Sequence, residues 1–321
     1  MHFNEAGTLD MEAAMTTDRA SNAESAFWDD VHAWYDRESS ADPMLRLNAL
    51  GLARNVEELD AYGFTMLPPE KAAPSGFWQE LRDAILALAE ERSGAAPDAE
   101  TGQTHRDQPR GTGELMSYML LGGDVFERAL MNENVQAMIE YLLGDGFVLS
   151  SMSTILKGPG NAPLGLHSDN GLFPAPFPAF SQVANASWLL TDYSEENGAL
   201  CFWPGSHKFC RQPTAGEMES WSKFMPVNAP AGTLVVWHGN TWHGAFARRA
   251  PGLRINLIQY FCRPYMATQE WYRDKVSPEA IARNSPVFSR LIGLDAPYPF
   301  PLEGPDYQRV HREMERAKRG P

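Results

Sequence analysis

Cysteine is scarce: Cys201, Cys210 and Cys262 are the only three in 321 residues, with no Cys-x-x-Cys pair among them. An odd, unpatterned set supports neither a disulfide framework nor a thiolate metal cluster, and the thiols read as small buried hydrophobes. Long apolar runs are missing too. No stretch approaches the ~20 residues that a membrane-crossing helix needs, so no membrane partner is expected. The first twenty residues carry Glu5, Asp10, Glu12 and Asp18 without an apolar core. This does not fit a secretory signal, and a cytoplasmic location is expected. A dominant basic block is also absent: the net charge of −14 argues against nucleic acid as a partner.

What is present suits one sizeable core. With 43% hydrophobic residues over 321 positions, a β-sandwich with helical additions fits in one domain, although the length alone would permit two. Residues 1–24 are polar and are expected to be mobile; 25–321 read as a single domain. Within it, Phe27, Trp28, Val31, Trp34 and Tyr35 recur at helical spacing. Leu59 to Pro68 reads as a helix end followed by a strand. The spacing of Phe77, Leu81, Ile85 and Leu88 predicts a helix from Phe77 to Glu91, and 93–113 reads as a loop. One helical block is expected from Val125 to Leu143, stopped by Gly144-Asp145-Gly146. From Phe147 to Arg263 short apolar runs alternate with turn residues at roughly ten-residue intervals, the pattern of a sandwich or barrel. The tail, 264–321, is expected to be irregular from Ser277 onward, ahead of a charged helix from Asp306 to Lys318.

The chemistry-bearing residues cluster in that β region. In Leu166-His167-Ser168-Asp169 the strand period of two puts His167 and Asp169 on one face. A further imidazole from a neighbouring strand would complete a two-His, one-carboxylate facial set, which leaves metal positions open for other ligands. His243, in Thr241-Trp242-His243-Gly244, is the candidate, and Arg254 follows in Leu253-Arg254-Ile255-Asn256. Both flank Arg248-Arg249-Ala250-Pro251-Gly252, so an antiparallel hairpin is expected to bring them face to face at roughly 5 Å between Cβ atoms. Arg254 would then offer a planar fork to the far carboxylate of a metal-chelating cosubstrate. His238 is the rival distal ligand; its turn-like setting in His238-Gly239-Asn240-Thr241 and its offset from Arg254 count against it.

On these residues the chain resembles the phytanoyl-CoA dioxygenases, a branch of the Fe(II)/2-oxoglutarate oxygenases. The resemblance is carried by Ile155-Leu156-Lys157-Gly158-Pro159-Gly160, His167-Ser168-Asp169, and the run from Glu196-Asn197-Gly198-Ala199-Leu200 to Pro204-Gly205-Ser206-His207-Lys208. Ala231-Gly232-Thr233-Leu234-Val235-Val236-Trp237, His243-Gly244 and Arg254 complete it. It extends from about Leu59 to Arg263, and the Asn-Gly-Ala-Leu to Pro-Gly-Ser-His-Lys stretch is its most specific part.

The resemblance implies a mainly β fold, a double-stranded β-helix or cupin-like jelly roll with added helices. It implies Fe(II) held by His167, Asp169 and His243, and 2-oxoglutarate held through Arg254. It also implies O2 as a reactant, a small-molecule substrate, succinate and CO2 as products, and hydroxylation of an aliphatic C–H as the usual outcome. Two positions depart from the common pattern: Ser168 stands where many relatives have Gln, and Ala245 where some have a supporting Ser. Thr191 or Asn256 would then assist Arg254, and Trp188 matches a tryptophan near the active site of relatives. The apolar loop Asn170 to Phe180, with Phe173 and Phe177, is expected to line an apolar or amphipathic substrate's pocket. Two other readings stay open: a zinc hydrolase using the same three ligands, and a non-catalytic jelly-roll binding protein.

Overall fold

Seven consecutive buried residues, Val183–Leu189, form strand β5, and the rest of the fold is arranged on its two faces. The computed structural model describes residues 43–104, 111–296, 298–300 and 302–318. The polar segment 1–24 and the helix expected around Phe27 to Tyr35 lie outside the described residues.

Among the described residues, ten strands form two antiparallel sheets. Besides β5 they are β1 (Phe64–Leu67), β2 (Glu114–Met116), β3 (Val148–Leu156), β4 (Leu164–His167), β6 (Leu200–Phe202), β7 (Met225–Pro226), β8 (Leu234–His238), β9 (His243–Ala245) and β10 (Asn256–Cys262). The six-stranded sheet runs β1-β8-β5-β10-β3-β2 and the four-stranded sheet β4-β9-β6-β7. Side chains alternate about the larger sheet. Ala184, Ala186, Trp188, Leu234, Val236, Leu257 and Phe261 join one core cluster with the helices, whereas Leu189, Val235 and Trp237 join a second cluster with Phe202 of the smaller sheet. The strand periodicity therefore sorts an outer, helix-covered face from an inner face that looks across the sandwich.

Helices α1 (Pro43–Ala49), α2 (Ala53–Tyr62), α3 (Phe77–Ser93), α4 (Asp124–Leu130) and α5 (Glu133–Leu143) contribute to the outer cluster. In α3 the stripe Phe77, Leu81, Ile85 and Ala89 is buried, at an i, i+4 spacing. Each of the three large side chains contributes roughly 1.5–3 kcal/mol by leaving water. The single block expected from Val125 to Leu143 is in fact two helices. Asn132 interrupts it because its Oδ1 accepts from the backbone N–H of Asn134 and Val135 (3.1 and 3.2 Å), capping a new helix.

The tail also differs from expectation. Ser277 caps α6 (Pro278–Arg283), and α7 (Pro286–Leu291) follows, because proline at a first helical position is already set for the helix. One compact unit spans Pro43–Asp295. Beyond it, α8 (Tyr307–Lys318) matches the expected charged helix. No helix among the described residues is long and apolar enough to cross a membrane.

The hairpin expected between His243 and Arg254 does not form. β9 pairs with β4 and β6, whereas β10 pairs with β3 and β5 in the other sheet. The intervening turn is closed on itself by Arg248, whose Nε donates to Gly252 O at 2.7 Å and whose Nη1 donates to Asn197 O at 3.0 Å. Gly252 takes a φ of +79° there, a left-handed conformation that suits glycine. The turn carries the chain from one layer to the other. His243 and Arg254 thus meet across the sandwich, where layers lie about 10 Å apart, and not across a strand pair.

Candidate metal centre and cosubstrate pocket

β4 ends on His167, and β9 begins on its cross-strand partner His243, so the two imidazoles are neighbours with ring centroids 4.4 Å apart. Asp169 comes two residues past the strand, in a bend held by its N–H donating to Gly239 O at 3.1 Å. Its Oδ1 lies 3.9 Å from His167 Nε2 and 3.7 Å from His243 Nε2. One ligand atom from each residue lies within 4.8 Å of the others. The structure brings together the three residues expected from the sequence, His167, Asp169 and His243, but Asp169 reaches the cluster from a bend beyond β4 and not from a strand position.

The donor set suits a divalent metal. His167 Nδ1 faces Gly165 O at 2.8 Å, and His243 Nδ1 faces Thr241 O at 3.0 Å. A carbonyl only accepts, so each Nδ1 carries its proton and each Nε2 presents a lone pair to the cluster. Burial lowers the His243 pKa to about 4, offset in part by Asp169, which keeps the ring neutral. Asp169 Oδ2 is fully engaged: it accepts from Asn185 Nδ2 at 2.7 Å and from Trp237 Nε1 at 3.2 Å. Oδ1 alone remains for a metal. The segment itself is pinned by Gln212, whose amide accepts from Ser168 N–H at 2.9 Å and donates to Ser168 O at 2.8 Å. The Ser168 hydroxyl donates to Gly239 O, away from the cluster.

The adjoining cavity is lined by Ile155, Lys157, Ser187, Tyr193, Trp237, His243, Ala245, Arg254 and Asn256, among others. Arg254, 4% exposed, donates from Nη1 to Gly198 O at 2.9 Å, and its guanidinium lies 5.3 Å from the Tyr193 ring centroid. Its Nε has no hydrogen-bond partner. Gly198 belongs to the Asn-Gly-Ala-Leu stretch, so that motif places a carbonyl under the arginine.

The secondary expectations fare less well. Trp188 lies on the outer face of β5, packed edge-on against Phe77, because the strand alternation gives the inner face to Asn185, Ser187 and Leu189; it does not line the cavity. Thr191 Oγ1 accepts from Ile255 N–H at 3.1 Å, and Asn256 Oδ1 from Ile155 N–H at 3.1 Å. Both brace the backbone beside Arg254, and neither bonds its guanidinium. Phe177 is buried, with its N–H donating to Cys210 O, so it anchors the 170–180 loop. Phe173 is half-buried and Leu172 fully exposed.

His238 stands apart. It ends β8 instead of occupying a turn, its Nδ1 accepts from Asn240 N–H at 3.0 Å, and its ring packs 5.4 Å from that of His207. Lys157 and Trp237 stand in the sequence as members of family motifs without a role at the site, and Asn185 and Gln212 belong to no motif. Asn185 and Ser187 left a signal nonetheless: polar residues at a spacing of two within an otherwise apolar strand.

Comparison with known proteins agrees with this geometry. The model of the phytanoyl-CoA dioxygenase family matches residues 60–256. A dioxygenase of Aspergillus fumigatus, af480, is 30% identical over 167 residues, covering 51% of this chain and 53% of its own. A probable alpha-ketoglutarate-dependent hypophosphite dioxygenase of Stutzerimonas stutzeri is 26% identical over 210 residues, 56% of this chain and 68% of its own. The chain thus spans about half the length of the first relative. The crystal structure of the epimerase SnoN in complex with Fe3+, alpha ketoglutarate and nogalamycin RO superposes with a TM-score of 0.52 at 23% identity, over 70% of this chain and 87% of that one. That likeness identifies the fold as the jelly roll with added helices.

Proposed function

The chain belongs to the phytanoyl-CoA dioxygenase family, and from that premise we propose that it is an Fe(II)/2-oxoglutarate-dependent enzyme that hydroxylates an aliphatic C–H of an apolar or amphipathic small molecule. The observation that carries the reading is the convergence of His167, Asp169 and His243 beside a cavity that also holds Arg254. In it, His167 Nε2, His243 Nε2 and Asp169 Oδ1 hold the iron, and Arg254 takes the far carboxylate of 2-oxoglutarate. Bound iron and cosubstrate supply oxidative chemistry that releases succinate and CO2 in the presence of O2. The residues themselves orient and exclude: Asn185 and Trp237 fix the Asp169 carboxylate, Gln212 fixes the strand end, and the inner-face aromatics keep bulk water from the pocket. The apolar substrate class rests on the loop beyond Asp169, where Leu172 and Phe173 present hydrophobic surface next to the ligand segment. A zinc hydrolase would have no use for a buried arginine at this position.

Calorimetric titration of anaerobic Fe(II)-loaded protein with 2-oxoglutarate tests the reading, followed by succinate release once O2 is admitted. Metal-dependent binding and slow substrate-free succinate formation are expected. Absence of both from freshly loaded protein would overturn it.

A further inference from the structure

Lys157 and Arg254 face each other in the antiparallel bridge that joins the end of β3 to the start of β10. Lys157 N–H donates to Arg254 O at 2.9 Å and Arg254 N–H to Lys157 O at 2.8 Å. Directly opposed residues of an antiparallel pair project to the same side, and both side chains reach the cavity. Both are buried, at 1% and 4% exposure. Among the described residues, no carboxylate forms an ion pair with either.

Two adjacent cations buried without an anion are costly to maintain. Lysine has an escape that arginine lacks, since it can release its proton. Burial first, and then the neighbouring Arg254, lower the Lys157 pKa to about 7. Its Nζ donates to Ala162 O and Phe246 O, both at 2.8 Å. Those contacts use two of the three N–H donors of an ammonium and hold the head group in place.

We propose that Lys157 is the second cation of the cosubstrate-carboxylate site and that binding of 2-oxoglutarate draws a proton onto its Nζ. The inference rests on the 2-oxoglutarate reading above. The dianion brings the charge that the pair lacks, so the ammonium becomes the favoured form once the cavity is filled. The other groups around the lysine do not compete for the proton. Burial pushes the Cys201 thiol up to about 12 and raises the Tyr193 hydroxyl, so both are already protonated at neutral pH. The Arg248 guanidinium is turned into its own loop, and His243 is committed to the metal in loaded protein. The carboxylates of 2-oxoglutarate stay ionised throughout the neutral range.

The test is calorimetric titration of Mn(II)-loaded protein with 2-oxoglutarate, at pH 6 and pH 8.5, in buffers of different protonation enthalpy. Native protein should take up close to one proton per ligand at pH 8.5 and almost none at pH 6, and its Kd should weaken by about tenfold from pH 7 to 8.5. Lys157→Arg, charged at both pH values, should bind with no proton uptake and a flat pH profile. Lys157→Met should also lose the uptake and bind more weakly. If the lysine were only a strap between Ala162 and Phe246, uptake would be absent from native protein or would persist in Lys157→Arg, and either result overturns the proposal. The native measurement needs no variant to fold. Failure of native protein to bind 2-oxoglutarate at any pH would instead remove the cosubstrate reading itself.

Discussion

Asn185 donates from Nδ2 to Asp169 Oδ2 at 2.7 Å, a side-chain contact from the inner face of the larger sheet to a residue held by the smaller one. With Trp237 on the same oxygen, it leaves Asp169 with a single oxygen for a metal. Asn185→Ala should therefore weaken Fe(II) or Co(II) binding roughly 10- to 100-fold, the range for partners that orient ligands. The loss should be read by chelator competition, with the thermal transition monitored in parallel. An unchanged metal affinity in folded variant protein would show that Asp169 needs no such support.

His167→Ala and His243→Ala should each abolish metal-dependent succinate release, because each removes one of three protein ligands. His238→Ala should retain most of it, since His238 packs against His207 and hydrogen-bonds Asn240. Equal losses at 238 and 243, with equal metal contents, would reverse the assignment of the distal ligand.

Arg254→Ala removes a buried partner for the cosubstrate carboxylate and leaves the three metal ligands in place. Affinity for 2-oxoglutarate should fall by about 2–5 kcal/mol, or at least roughly 30-fold, while metal affinity holds. Calorimetry on metal-loaded variant protein checks this. Native-like affinity would take Arg254 out of the pocket's function.

His238 also makes stability depend on pH. Burial, and secondarily His207, lower its pKa from the ordinary imidazole value of 6.5 to about 3. The folded state refuses a proton that the unfolded chain accepts below pH 6.5. The stability contribution is thus fully present above pH 6.5 and is lost as pH falls below it, at about 1.4 kcal/mol per pH unit. Urea melts at pH 7 and pH 5 should show this loss, and His238→Gln should make it shallower without abolishing it, because burial lowers the pKa values of His243 and His207 as well. An equally steep acid dependence in the variant would assign the effect to other groups.

Much of this was legible in the chain itself. The His-x-Asp pair is close in sequence and needs only a short extended run and a bend to converge, the α3 stripe needs only the helical period, and the ordered motifs from Ile155 to Arg254 carry the family and its jelly roll. These are local relations, fixed within a few residues by backbone geometry. Strand partnership is not local. The same turn residues at 248–252 fit a hairpin or a crossover between layers, and only the packing of both sheets selects the crossover. That choice sets His243 and Arg254 across the sandwich, turns Trp188 outward and Asn185 inward, and places two buried cations side by side. Residues brought together from strands distant in sequence carry no joint signal in the chain, because their contact exists only once the layers have closed.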